Sequence, residues 1–212
     1  TENILMAAVC AKGHTSIYNA ACEPHVQQLC RLLNAMGARI SGIGANRLEI
    51  HGVSELGGAA HTIAPDYIEI GSFIGLAAAT GSEITIANIF PDDLRMMLMA
   101  YRKLGIEPEI EGTSLRVHGR QHMKVVSDFR GAIPKIESAP WPGIPADIVS
   151  ILLVTATQCA GTVLFHEKLF ESRLFFTDRL VGMGARIVLC DPHRAVVVGP
   201  SPLHGDHLTS PD

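Results

Sequence analysis

Two charged residues stand in largely apolar stretches of this chain, where each needs a specific partner. Asp147 follows the Pro-rich run Pro140–Pro145 and opens an apolar run that is predicted to be helical. An anionic carboxylate is favoured near a helix N-terminus, where it can accept a backbone N–H as a cap or the hydroxyl of a ligand. Arg173 is predicted to share a helical stripe with Leu169 and other apolar residues. A buried guanidinium without an anion is very costly, so Arg173 needs a ligand anion or an ion pair, and the pattern alone favours the ion pair.

Residues that bind metals or form disulfides do not cluster. The five cysteines show no Cys-x-x-Cys spacing, and an odd count without a framework indicates a reducing, cytosolic setting. Cys10, Cys30 and Cys159 lie in apolar context and are predicted to be core thiols. His204 and His207 lie close together in a polar tail, which a solvated loop explains as well as a metal site does. We therefore predict no metal and no cofactor.

The composition is that of a globular protein. The 212 residues are enough for one large domain or parts of two, and 47% of them are hydrophobic. The net charge of −4 argues against a nucleic-acid partner. No apolar run reaches the ~18 to 20 residues that a membrane span needs. The longest runs, Ile70–Thr80 and Ile148–Thr157, are predicted to be buried helices.

Glycines recur along the chain at a regular spacing. One set closes an apolar run, and a second set closes a helix further on. The first set is Gly13, Gly81 and Gly161, and the second is Gly37, Gly105 and Gly184. The two sets are offset by 24, 24 and 23 residues. This regularity predicts one supersecondary unit used three times.

Each unit is predicted to have the order β-α-β-α-β-β. Its first helix is apolar nearly all round, so it must be surrounded by protein; the predicted ranges are Ile4–Ala11, Ile68–Thr80 and Asp147–Ala160. Its second helix has one apolar face and begins at a proline, as in His25–Met36 after Pro24 and in Pro91–Leu104. Predicted strands include His14–Asn19, Glu83–Asn88, Thr162–Glu167 and the hairpin of Arg39–Ile43 with Arg47–His51.

Three aspartates hold equivalent positions at the start of a unit's first helix: Asp66, Asp147 and the last residue, Asp212. For Asp66 an N-cap is favoured, whereas for Asp147 a cap and a ligand contact are compatible. Because the chain begins inside one unit and stops at the start of another, we expect it to be a piece of a longer protein.

Four motifs follow one another along the chain. They are Asn19-Ala20-Ala21-Cys22-Glu23-Pro24, Ala64-Pro65-Asp66-Tyr67-Ile68-Glu69-Ile70-Gly71, Ala139-Pro140-Trp141-Pro142-Gly143-Ile144-Pro145-Ala146-Asp147 and Phe170-Glu171-Ser172-Arg173. Together they resemble the UDP-N-acetylglucosamine 1-carboxyvinyltransferase family over essentially the whole chain. The resemblance implies an α/β (α+β) fold in which six β-α-β-α-β-β units form an inside-out α/β barrel of the enolpyruvyl transferase type. Residues 1–62 would end its first domain, and 63–212 would supply two units of its second.

The implied reaction moves enolpyruvate from phosphoenolpyruvate to the 3-hydroxyl of UDP-N-acetylglucosamine and releases phosphate, the first committed step of peptidoglycan synthesis. By the resemblance, Asp147 contacts the attacking hydroxyl and Arg173 has a catalytic role in the cleft. Leu169 would touch the nucleotide sugar through its backbone, and Asp212 would open a catalytic Asp-Leu-Arg motif. Tyr67 departs from the arginine often found at its position. None of the cysteines lies in the family's mobile-loop motif, so we expect this chain alone to be inactive.

Two other functions stay open. A 3-phosphoshikimate 1-carboxyvinyltransferase would share the fold, but the Asn-Ala-Ala-x-Glu-Pro and Phe-Glu-Ser-Arg motifs argue against it. A non-catalytic module built from the same repeats would bind a nucleotide sugar or a partner chain.

Overall fold

The structure is a computed structural model that describes residues 1–208. Internal contacts divide the chain into two compact units, Thr1–Ala64 and Pro65–Asp212. The assignment of these units to two domains of a longer enzyme stays a prediction.

The first unit packs two helices against one antiparallel sheet. Its elements are α1 (Glu2–Ala8), β1 (His14–Tyr18), α2 (Pro24–Ala35), β2 (Arg39–Ser41) and β3 (Arg47–His51), with strand order β1-β3-β2. As predicted, α2 begins at a proline and is amphipathic, burying Val26, Cys30 and Leu33. Cys30 and Leu33, together with Leu5, Leu48 and Ile50, belong to a core that is confined to this unit.

The second unit contains two repeats. The first consists of α3 (Tyr67–Thr80), β4 (Ile84–Ala87), α4 (Pro91–Lys103), β5 (Glu109–Glu111) and β6 (Ser114–Val117). The second consists of β7 (Lys135–Glu137), α5 (Ala146–Ala156), β8 (Gly161–His166), α6 (Thr177–Gly182), β9 (Arg186–Asp191) and β10 (Arg194–Gly199). Their sheets have the orders β4-β6-β5 and β7-β8-β10-β9.

The predicted repeat is confirmed in its helices and hairpins but not in every strand. Only the last repeat has the full β-α-β-α-β-β order, because β7 pairs in parallel with β8. In the first repeat of the second unit no strand comes before α3, since none lies between β3, which ends at His51, and Tyr67. The three sheets pair only within their own repeats and stay open, so the described residues form the repeated units of such a barrel without closing one.

Helices α3 and α5 pack against each other at unusually close range. A Cβ added at Gly71 would lie 2.3 Å from Met97 Sδ and 2.5 Å from Ile148 Cδ1. A Cβ at Gly75 would lie 2.7 Å from Thr155 Oγ1. Glycine is therefore what lets α3 approach α5, and Ile148 and Leu152 are fully buried in the shared core.

The sequence predicted that these two apolar helices are surrounded by protein. In the structure each of them has an exposed side. Phe73 and Leu76 of α3 are 45% and 56% exposed, and Val154 of α5 is 38% exposed. The reason is geometric: each helix has neighbours over only part of its circumference, and the remaining apolar face lines a groove described below.

The cysteines agree with the prediction at two positions and differ at a third. All five are free thiols. Cys30 and Cys159 are buried core residues, and burial raises the pKa of the Cys159 thiol to about 12. Cys10 is exposed, so its prediction as a core thiol is wrong. It lies in a turn after α1, which ends at Ala8.

The close contact at Gly71 predicts that a larger side chain at this position destabilises the second unit. Gly71→Ala should lower the free energy of unfolding by roughly 1–3 kcal/mol, because the added methyl overpacks the core. Urea unfolding followed by the fluorescence of Trp141, the chain's single tryptophan, measures this in the second unit.

The matched control is Gly182→Ala. Gly182 ends α6, and a Cβ there would meet nothing within 4 Å. That variant should be neutral or more stable by up to about 1 kcal/mol. An unchanged midpoint for Gly71→Ala would contradict the close α3–α5 packing.

Candidate active site

The Asp147 carboxylate is not a helix cap. α5 begins at Ala146 with Pro145 at the N-cap position, and no side chain caps this helix. In the equivalent helix, Asp66 does cap α3, accepting hydrogen bonds from the backbone N–H of Ile68 (2.8 Å) and Glu69 (3.2 Å). The cap interpretation is thus confirmed for Asp66 and wrong for Asp147. The cause is that α5 starts two residues earlier in its repeat than α3 does, which places Asp147 inside the first turn.

The loop before α5 is held in place by its own contacts. The N–H of Gly143 donates to the carbonyl of Pro140 (2.8 Å), and the N–H of Ala139 donates to the carbonyl of Ile144 (3.0 Å). Trp141 packs edge-to-face on Tyr67 of α3, with ring centroids 5.5 Å apart. Tyr67 is buried, so the tyrosine that departs from the family pattern serves as a packing partner for this loop.

Arg173 lies in a turn, not on the predicted helical stripe. Residues 171–176 are turns, and α6 begins only at Thr177. Ser172 has φ = 68°, a left-handed conformation that a helix cannot continue through. This backbone reversal explains the difference from the prediction. It also directs the Arg173 side chain toward α5.

The structure brings Asp147 and Arg173 together. Arg173 Nη2 donates to Asp147 Oδ1 at 2.6 Å, with the two side chains 39% and 61% exposed. The guanidinium also lies over the ring of Phe170, 5.2 Å from its centroid. An ion pair this open to solvent contributes little to stability. Its polar groups are accessible, which is what a ligand site requires.

The donor and the acceptor of this pair have complementary chemistry. Arginine presents a planar fork of N–H donors that matches carboxylates and phosphates. Asp147 supplies a carboxylate that accepts the proton of a hydroxyl group in a hydrogen bond. Side by side, they suit a ligand that carries both a hydroxyl and an anionic group.

An open groove of about 1330 Å³ runs beside the pair. Its walls are the exposed apolar faces of α3 and α5 and the turn that carries Arg173, including Phe73, Leu76, Val154 and Phe175. The polar groups of Glu171, Ser172 and Arg173 lie along the turn side. Because Arg173 is among the residues that line the groove, a ligand bound there would meet the guanidinium of the Asp147–Arg173 pair.

The other predicted site residues have different outcomes. The Leu169 side chain is 41% exposed, which rules out plain core packing. The backbone N–H of Leu169 already donates to Glu167 Oε1 at 2.8 Å. A backbone contact from Leu169 to a ligand would therefore use its carbonyl oxygen. Asp212 lies outside the described residues.

Sequence reasoning missed Ser138 and Glu167, two fully buried polar residues next to this site. Glu167 follows β8 and Ser138 follows β7, and their side chains are hydrogen-bonded at 2.7 Å. A single polar residue after a strand carries no sequence signal for burial. Only the parallel pairing of β7 with β8 shows that the two positions are neighbours.

Across residues 1–208, no group of three or more His, Cys, Asp or Glu side chains is arranged to hold a metal ion. Within the same residues, no helix has the length and apolar character needed to cross a membrane.

The family is identified by comparison with known sequences. The family model of EPSP synthase (3-phosphoshikimate 1-carboxyvinyltransferase) matches residues 1–209. The chain therefore belongs to the EPSP synthase family.

Within that family, the chain is similar to UDP-N-acetylglucosamine 1-carboxyvinyltransferases. It is 60% identical to the protein of that name from Treponema denticola over 212 residues. It is 56% identical to those from Bacteroides thetaiotaomicron and Borreliella burgdorferi. Each match covers 100% of this chain and 50% of the relative, so the chain spans half the length of the curated relatives it matches. These matches confirm the resemblance seen in the motifs.

The fold also matches a solved structure, the enolpyruvyl transferase NikO from Streptomyces tendae. The TM-score is 0.73 at 23% identity, covering 95% of this chain and 46% of that chain. At this identity the likeness concerns the fold alone, and it confirms the predicted α+β repeat architecture.

Because the Asp147–Arg173 ion pair is exposed, we expect Arg173 to contribute little to the free energy of unfolding. Arg173→Ala should lower the free energy of unfolding by less than about 1 kcal/mol, since an exposed ion pair gains little. Urea unfolding measures this, with Arg194→Ala as the control, because Arg194 forms a similarly open pair with Asp191 at 2.6 Å. A loss of about 3 kcal/mol or more for Arg173→Ala alone would mark a structural ion pair.

Proposed function

We propose that the protein to which this chain belongs transfers enolpyruvate from phosphoenolpyruvate to the 3-hydroxyl of UDP-N-acetylglucosamine and releases phosphate. This would be the first committed step of peptidoglycan synthesis. The observation that carries the proposal is the 60% identity, over all 212 residues, to a protein named for that activity. Two separate motifs single out Asp147 and Arg173 as site residues, and the contact between them in the structure supports the proposal.

In this proposal Asp147 orients the acceptor. Its carboxylate accepts a hydrogen bond from the sugar 3-hydroxyl and holds the oxygen toward the phosphate-bearing carbon of phosphoenolpyruvate. The new C–O bond forms at that carbon, the C–O bond to phosphate then breaks, and in the overall balance the hydroxyl proton leaves with the released phosphate. Asp147 lies in the first turn of α5 and accepts a hydrogen bond from Arg173, so its carboxylate is held as an acceptor at a fixed place. Asp147 therefore acts chiefly by positioning, which supplies a large share of such rate enhancements.

Arg173 holds the Asp147 carboxylate in this orientation. The Arg173 side chain is 39% exposed, so an anionic part of a substrate could bind its remaining N–H donors. Leu169 and Asp212 stay proposals in the roles that the resemblance implies. A reducing compartment, with no resident cofactor, is proposed as the setting, in keeping with the five free thiols.

A second candidate acceptor is shikimate 3-phosphate, because the matching family model carries the name of that enzyme. The test is phosphate release by the purified product of the gene that contains this chain. Phosphoenolpyruvate would be supplied with either acceptor. Release with UDP-N-acetylglucosamine alone supports the first function, and release with shikimate 3-phosphate alone supports the second. No release with either acceptor would contradict both.

In the same protein, Asp147→Ala should lower kcat by ~10²-fold or more, as loss of one transition-state contact does in comparable sites. Steady-state phosphate release measures the effect. Asp178→Ala is the control, since Asp178 is likewise an exposed acidic residue in the first turn of a helix. Near-normal turnover by Asp147→Ala would remove Asp147 from the mechanism.

A further inference from the structure

Glu167 is a buried carboxylate that organises the turn after β8. The residue is fully buried. Its Oε1 accepts hydrogen bonds from the backbone N–H groups of Leu169 (2.8 Å) and Phe170 (3.2 Å). Phe170 is the ring over which the Arg173 guanidinium lies. The start of the turn that carries Arg173 is thus held by Glu167.

Ser138 joins that turn to the loop that leads to Asp147. Its hydroxyl donates to Glu167 Oε1 at 2.7 Å and accepts from the backbone N–H of Lys168 at 2.8 Å. Its own N–H donates to the carbonyl of His166 at 3.0 Å. Through these three bonds one buried serine ties the segment after β7 to the segment after β8.

The second oxygen of Glu167 shows that this arrangement is costly. Oε2 is buried and has no hydrogen-bond partner in the structure. A buried polar atom without a partner loses its hydrogen bonds to water, and no hydrogen bond within the protein offsets that free-energy cost. An apolar pair at these positions would avoid that cost but could not accept hydrogen bonds from the backbone N–H groups of Lys168, Leu169 and Phe170. The cost is therefore explained if the fixed geometry of the two segments matters.

We propose that Ser138 and Glu167 are positioning residues. They fix the position of the Asp147 carboxylate relative to the Arg173 guanidinium. The inference rests on the proposed function for its kinetic consequence, and on the geometry alone for its structural one. Neither residue touches the reacting groups. They act because Ser138 lies on the segment that ends at Asp147 and Glu167 lies on the segment that ends at Arg173.

The test compares Ser138→Ala with Ser201→Ala in the full gene product. Ser201 is also a buried serine, and its hydroxyl bridges the backbone N–H of Arg186 (3.2 Å) and the carbonyl of Val198 (3.3 Å). Its N–H donates to the carbonyl of Thr157, at the end of α5 opposite Asp147. Both variants lose a buried bridging hydroxyl, but only Ser138→Ala loosens the site.

We expect Ser138→Ala to lower kcat at least tenfold with both KM values within about threefold of the original, because small misplacements of catalytic groups cost turnover. Ser201→Ala should keep its kcat. Equal kcat for Ser138→Ala and the unmodified protein, or an equal fall in both variants, would overturn the proposal.

A second readout does not depend on activity. The NMR signal of the Arg173 Nε–H group, assigned by its loss in Arg173→Lys, reports the environment of the guanidinium. It should shift in Ser138→Ala toward its position in Asp147→Ala and stay in place in Ser201→Ala. If the protein is inactive with both acceptors while this shift occurs, the proposed function fails and the positioning role stands.

If Ser138→Ala does not fold, Ser138→Cys replaces it, since the thiol keeps the shape of the side chain but is a much weaker hydrogen-bond donor and acceptor. The same split between kcat and KM and the same shift of the Arg173 signal are expected. An unshifted signal in a folded Ser138→Cys protein would overturn the proposal.

Discussion

The close approach of α3 to α5 is the constraint on which the second unit depends. Both helices are apolar on nearly all sides, and they meet where α3 carries Gly71 and Gly75. At this contact the buried Tyr101 hydroxyl donates a hydrogen bond to the carbonyl of Gly71 at 2.7 Å. Burial raises the pKa of Tyr101. With α5 fixed against α3 in this way, the N-terminus of α5 has a fixed place in the unit, and so has Asp147 in its first turn.

The ion pair of the site follows from that placement and from two turns. The loop before α5 is held by its internal hydrogen bonds and by the packing of Trp141 on Tyr67. The turn after β8 reverses at Ser172, which directs Arg173 toward α5. The pair is open to solvent, so its geometry comes from the scaffold around it and not from its own small stabilisation. This is the arrangement expected of groups that must meet a substrate.

Local signals predicted much of the fold, and contacts distant in sequence decided the rest. The proline at the start of α2 is a local signal, and that prediction is confirmed. The repeat predicted from the glycine spacing is confirmed in its helices and hairpins. The motifs singled out Asp147 and Arg173, but not their pairing with each other. The early start of α5, the turn at Ser172 and the buried contact of Ser138 with Glu167 depend on which segments meet in the folded unit. A single sequence has no local pattern for such contacts.

The most direct test of the account is a crystal structure of the full gene product with UDP-N-acetylglucosamine bound. The account predicts the sugar 3-hydroxyl within hydrogen-bond distance of the Asp147 carboxylate, at ~2.5–3.0 Å between oxygens, with Arg173 still beside that carboxylate. A nucleotide sugar bound elsewhere, with the Asp147–Arg173 pair intact and touching no ligand atom, would contradict it.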